Sequence, residues 1–312
     1  DKIDVNAVNL QELTPFHIAA QKGCTEIMKL LVENGADIKQ QTLQSSYTCL
    51  SFAADGGGMA AVSFILDHCL ELVKMVDNDG RVPLHWAAER GDAKVAEILF
   101  KSGPVDLIEF IDKKGFTPLA IAISKGHCEA ATTLLSLGAS ANISIPTRTA
   151  MCMPALISAI EGGHFAIANA LLNQASTNHI TPLFVLLEKC KHENFGWVWM
   201  QVETLVIRIL KTSPSNVDEY PSNPFPKRSI LADCIKARMW SCCLLLCTLK
   251  ADASLVFSDG TTALHQASME NAPPDVLTAL LSLPLKVSAP DSKGLTPLHH
   301  ARSAHVVKAL LE

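Results

Sequence analysis

The chain has 312 residues, a formal net charge of −5, 48% hydrophobic residues, 18% charged residues and 5% aromatics. That apolar fraction is enough for a large buried core and excludes wholesale disorder. Nucleic-acid binders cluster positive charge to displace counterions, and single-strand binders stack bases on aromatics, so an acidic, aromatic-poor chain fits neither class.

Length alone predicts two or three domains. The ten cysteines are irregularly spaced, as expected of free thiols in a reducing, cytoplasmic compartment rather than a disulfide framework. The most apolar run, Met239 to Leu249, is too short for a bilayer, so direct membrane insertion is not expected. The polar start Asp1-Lys2-Ile3-Asp4 carries neither a leader pattern nor an initiator Met, which suggests an excised fragment.

Along the chain one pattern returns. Thr14-Pro15-Phe16-His17-Ile18-Ala19-Ala20 recurs as Val82-Pro83-Leu84-His85-Trp86-Ala87-Ala88, and again at Thr117, Thr262 and Thr296. Weaker copies start at Thr48, Pro154, Thr181 and Ser229. Six of the eight gaps between these nine anchors lie between 33 and 37 residues. In the first unit Thr14 suits a helix N-cap and Pro15 the first helical position, where its missing N–H costs nothing. Phe16, Ala19 and Ala20 form the stripe of a short first helix, and Gly23 is placed to end it in a left-handed turn. Ile27, Leu30 and Leu31 form the expected stripe of a second helix, closed by Gly35. On this reading Leu30→Ala opens a core cavity worth roughly 2–5 kcal/mol.

These units resemble the ankyrin repeat, whose period is about 33 and whose signature is T-P-L-H-x-A. The resemblance implies an all-α solenoid of stacked helix-turn-helix units joined by hairpin-like loops. Two short helices cannot bury both apolar faces alone, so one continuous ankyrin repeat domain over 1–312 is expected, with units starting near 14, 48, 82, 117, 154, 181, 229, 262 and 296. It breaks in two places. The 27-residue gap after Pro154 leaves room only for a stunted finger at 176–180. The 48-residue gap after Thr181 holds an insertion within 188–228, including Trp197, Trp199 and four prolines that exclude a helix over 212–228. Between them Gln201 to Lys211 reads as a second helix, and the last unit reads as shortened near 302–304.

Chemistry is sparse. Cys190 and His192 have no second ligand pair at zinc spacing, so no metal is expected, and no cofactor motif occurs. Cys242, Cys243 and Cys247 fall at core places of a second helix. His17, His85, His265 and His299 share one place in the repeat, and the resemblance implies that they hydrogen-bond within and between units. No enzyme is expected in the chain.

The resemblance further implies a non-catalytic interaction scaffold, binding a protein or peptide on the concave face formed by finger tips and the ends of first helices. By position this selects Arg81, Glu89, Arg90, Lys113, Lys114, Phe116 and Lys125, with Tyr220 and Phe225 in the insertion as further contacts. The basic strip among them hints at an acidic partner. Arg81, Arg90 and Phe116 lead, and replacing them by Ala is expected to leave Tm almost unchanged. Trp86 is expected to pack between units. The alternative is a regulatory or substrate-recruiting arm of a larger enzyme or ion channel.

Overall fold

The computed structural model describes residues 3–56, 58–146, 152–174, 199–212, 230–254, 256 and 259–312. Contacts divide the chain into two bodies, residues 1–175 and 176–312.

Body one contains five helix pairs: α1 (Pro15–Gln21) and α2 (Thr25–Glu33), α3 (Cys49–Gly56) and α4 (Met59–His68), α5 (Pro83–Arg90) and α6 (Ala93–Ser102), α7 (Pro118–Lys125) and α8 (Cys128–Ser136), α9 (Ala155–Glu161) and α10 (Phe165–Gln174). First helices stack in one layer, α1 on α3 on α5 on α7 on α9, and second helices in the other, α2 on α4 on α6 on α8 on α10. Single 3-10 turns, Leu70–Lys74 and Val105–Glu109, follow α4 and α6. Before α9 the finger is a two-stranded antiparallel hairpin, β1 (Ser144–Pro146) paired with β2 (Cys152–Pro154) in the register Ile145↔Met153.

The anchors do what the sequence asks of them. Thr14 caps α1, its hydroxyl accepting from the His17 N–H at 3.3 Å. Leu50, Leu84, Leu119 and Ile160 of the first helices and Ile65, Leu99, Leu134 and Leu171 of the second are buried between neighbours. Gly91 ends α5 at φ +82, and an added Cβ there would lie 2.7 Å from the His127 ring.

The stripe expected on α2 is corrected. Met28 is its fully buried residue, while Ile27 and Leu30 are 51% and 59% exposed. The places equivalent to Ile27 in the next four units, Ala61, Val95, Ala130 and Ile167, are fully buried because a preceding second helix covers them. Among the described residues no such helix lies over α2. The cavity cost expected for Leu30→Ala therefore does not apply.

Body two repeats the design with α11 (Trp199–Thr212), α12 (Ile230–Lys236) and α13 (Trp240–Thr248), α14 (Ala263–Met269) and α15 (Pro274–Leu281), and finally a 3-10 turn Pro297–His300 before α16 (Ala304–Leu311). First helices stack α12 on α14 on the 3-10 turn; second helices stack α11 on α13 on α15 on α16. α11 covers the predicted 201–211 span, with Leu205, Val206 and Ile209 buried, and the last unit is shortened by loss of its first helix to the 3-10 turn. Cys242, Cys243 and Cys247 are buried in α13 as expected. Where body one has left-handed glycines after α1, α5, α7 and α9 (Gly23, Gly91, Gly126 and Gly163), body two places Arg238 and Asn271 in that region, at φ +56 and +57. The stunted finger at 176–180, Cys190, His192, Trp197 and the proline-rich part of the insertion lie outside the described residues, as does the side chain of Trp199.

Candidate functional site

Four fingers turn on a side chain five residues before the anchor. Asp77 Oδ1 accepts from the N–H groups of Asp79 and Arg81, both at 2.9 Å, and Asp112 Oδ1 from those of Lys114 at 2.9 Å and Phe116 at 2.8 Å. Asn9 does the same for Gln11 and Leu13, and Asp291 in body two for Lys293 and Leu295. A carboxylate or amide that bonds backbone two and four residues on mimics a turn and fixes the tip. Neighbouring tips then join: Asn78 N–H donates to Ser45 O at 3.0 Å and Lys113 N–H to Asp79 O at 2.8 Å.

The base of the third and fourth fingers holds a charged network. Arg81 Nε donates to Asp112 Oδ2 at 3.3 Å and its Nη1 to Glu89 Oε2 at 2.6 Å, while Lys125 Nζ lies 2.9 Å from Glu89 Oε1. The Arg81 side chain is only 13% exposed and the Asp112 side chain is fully buried. Burial opposes the Arg81 charge, but Glu89 and Asp112 outweigh it and hold its pKa above the ordinary value. Burial likewise pushes the Glu89 carboxyl up, and Lys125 and Arg81 pull it below the ordinary value. The guanidinium also stands 5.1 Å from the centre of the Trp86 ring. Trp86 Nε1 donates to Asp77 Oδ2 at 3.0 Å and the ring meets Tyr47 edge-on at 5.2 Å. Tyr47 meets Phe52 at 5.7 Å, and Phe52 meets His17 at 5.5 Å. An aromatic ladder thus crosses three units, and Trp86 packs between units as its place in the motif implied.

The selected residues are therefore not one patch. Arg81, Glu89 and Lys125 meet in the network, with Asp112, which the sequence reading missed. Because Arg81 neutralises a buried carboxylate, the expectation that its replacement leaves Tm unchanged is corrected. Arg90 is exposed and lines a separate hollow with Asp92, Lys94 and Glu129 at the turn into α6. Phe116 is half-buried, and its carbonyl accepts from His85 Nε2 at 3.1 Å. Lys113 and Lys114 are exposed at the tip of the fourth finger, Lys113 Nζ donating to Asn78 O at 2.8 Å. Tyr220 and Phe225 lie outside the described residues. A groove between the first two fingers is lined by Leu10, Leu13, Tyr47 and Phe52 with Gln21 and Gln44. The recurrent −5 residue (Asn9, Asp77, Asp112, Asp291) was the signal in the sequence that locates the finger turns.

Among the described residues no group of three or more His, Cys, Asp or Glu side chains is placed to hold a metal ion, and no helix is long and apolar enough to cross a membrane. Eight described cysteines are free. Burial pushes the thiols of Cys49 and Cys243 well above the ordinary range and that of Cys247 up to about 11, which makes them packing groups rather than nucleophiles.

Stacked two-helix units, hairpin fingers and the motif histidines His17, His85 and His265, each tied to the following unit, define a helical repeat protein. Residues 1–74, 16–107 and 51–145 each match the family model described as ankyrin repeats in three copies. A 99-residue stretch is 37% identical to the transient receptor potential cation channel subfamily A member 1 homolog of Caenorhabditis elegans, covering 32% of this chain and 8% of that protein. A 101-residue stretch is 31% identical to the B-cell lymphoma 3 protein homolog of Mus musculus, covering 32% and 22%, and a 100-residue stretch is 29% identical to alpha-latrotoxin-Lg1a of Latrodectus geometricus, covering 32% and 7%. These matches span less than a quarter of each relative's length. Residues 1–145 are thus a run of ankyrin repeats, a family whose members generally serve as non-catalytic protein–protein interaction modules.

Proposed function

We propose that the chain is a scaffold that binds a protein or peptide on the concave side of body one, where finger tips and the ends of α1, α3, α5 and α7 meet. The observation that carries this is the division of labour among its side chains. His17, His85, Asp77 and Asp112 are consumed in holding units and fingers together, whereas Leu10 and Leu43 on the first two fingers are 105% and 82% exposed and Lys114 is exposed on the fourth. Large side chains that the framework does not use are what a partner recognises. The surplus cation at the fourth finger favours a partner with acidic residues, and the net charge of −5 argues against nucleic acid. The free cysteines favour a reducing, cytoplasmic setting.

Affinity capture with the chain, followed by mass spectrometry, tests this when paired with two variants. Leu10→Asp with Lys114→Glu alters the finger tips; Lys29→Glu with Lys101→Glu alters exposed second-helix positions. The reading requires partners lost with the first pair and kept with the second. Equal capture by both, or loss with the second pair alone, refutes it. A second reading, a recruiting arm of a channel, is favoured by the 37% identity to a cation channel homolog of which the match spans 8%. A transmembrane bundle in the same polypeptide would establish it.

A further inference from the structure

The finger tips of body one form a continuous rail, since the second and third and the third and fourth are joined by backbone hydrogen bonds. Chemistry changes along that rail. At its start the groove is walled by Leu10, Leu13, Tyr47 and Phe52, and the amides of Gln21 and Gln44 stand at its rim. Its one charged lining residue, Glu12, is engaged by the Gln44 N–H at 2.8 Å. Glu12 holds φ +64, a left-handed position that Gly80 and Gly115 fill in the third and fourth fingers. A side chain there strains the backbone, and it is the side chain that ties the two walls of the groove together.

At the far end the charge is different. Arg81 and Lys125 are matched by Glu89 and Asp112. The Lys113 side chain bonds a neutral carbonyl, its stem lying over Gly80, and Lys114 is exposed, so the third and fourth tips carry two lysines to the one exposed carboxylate of Asp79. Neighbouring helices pack about 10 Å apart, which puts the groove on the order of 25 Å from the fourth finger. An extended strand covers that distance in about seven or eight residues.

Resting on the concave-side reading, the geometry points to the kind of partner: an extended segment with one bulky apolar side chain in the Leu10–Tyr47 groove and a carboxylate about seven or eight residues away, against Lys113 and Lys114. Apolar burial in the groove supplies affinity. The lysines fix which end lies where, and their share weakens with salt.

Selection of a random dodecapeptide phage library on the full chain tests it. The enriched peptides are expected to pair a Leu, Met, Phe or Trp with an Asp or Glu at that spacing. Binding of the synthetic peptides is expected to fall at least tenfold with Leu10→Asp, a change at a fully exposed residue whose unchanged Tm confirms the fold. With Lys113→Gln and Lys114→Glu the acidic preference and the salt dependence should both vanish. Peptides that respond to the lysine variants but not to Leu10→Asp overturn the apolar anchor and leave the concave-side reading standing. Peptides indifferent to both sets, or no enrichment at all, count against both.

Discussion

His85 Nε2 donates to the backbone oxygen of Phe116 at 3.1 Å, one unit further along the chain, while its Nδ1 accepts the N–H of Val82 at 3.2 Å. The same two bonds join His17 to Gln40 and Thr14, and His265 to Leu295 and Thr262. A carbonyl only accepts and a backbone N–H only donates, so each ring is held as the neutral Nε2–H tautomer. Adding a proton at Nδ1 would set two donors against each other inside the stack.

Burial, the largest influence, lowers the pKa of His17 and His85 below the ordinary 6.5 despite their carbonyl bonds. Above pH 6.5 folded and unfolded chains are both neutral at these sites, and their contribution to stability is complete. As pH falls below 6.5 the unfolded chain takes up protons that the native rings refuse. Stability then drops by up to about 1.4 kcal/mol per pH unit for each ring. Urea unfolding at pH 7.5, 6.5 and 5.5 should show this loss, and His85→Gln should be less stable at pH 7.5 yet have a flatter pH dependence. Equal slopes for the two proteins would refute the assignment.

Arg81→Ala should destabilise body one by about 1–3 kcal/mol, because it strands the buried Asp112 carboxylate and uncovers Trp86. Lys114→Ala, at an exposed tip, should stay within about 0.5 kcal/mol of wild type. Thermal melts separate them. A cycle with Glu89→Gln should reveal coupling to Arg81, whose Nη1 donates to Glu89 at 2.6 Å.

Leu99→Ala should cost roughly 2–5 kcal/mol, whereas Leu30→Ala should cost under about 1 kcal/mol. Both residues belong to second-helix stripes, but Leu99 is fully buried and Leu30 is 59% exposed. Denaturant midpoints of the two variants would test whether the stack or the helix pattern sets the cost.

These contrasts show what the sequence conveys. Period, capping residue and apolar stripe are local, so the helices, their stacking partners and the motif histidines were legible. Burial of Leu30 depends on what lies over α2, which no residue in that helix encodes. Arg81 looked like free surface because its partners Glu89 and Asp112 stand 8 and 31 residues away. The αL positions were readable only where glycine marks them. Arg238, Asn271 and Lys250 carry no such mark, and their left-handed backbone emerged only from the structure.

Those positions give the last prediction. Gly91 holds φ +82, and the His127 ring that a Cβ would strike is itself tied to Glu89 O at 2.9 Å and cannot move away freely. Gly91→Ala should therefore cost more than the roughly 1–2 kcal/mol of left-handed strain alone. Lys250 is the reverse case: it ends its helix at φ +58 and is exposed, with its N–H bonded to Cys247 O. Glycine keeps that backbone bond and removes the strain, so Lys250→Gly should stabilise body two by about 0.5–1 kcal/mol after the entropic cost of glycine in the unfolded chain. Opposite shifts in denaturant midpoint are expected for the two variants. A loss of stability in Lys250→Gly would mean that the lysine side chain holds the helix end through contacts stronger than the strain it imposes.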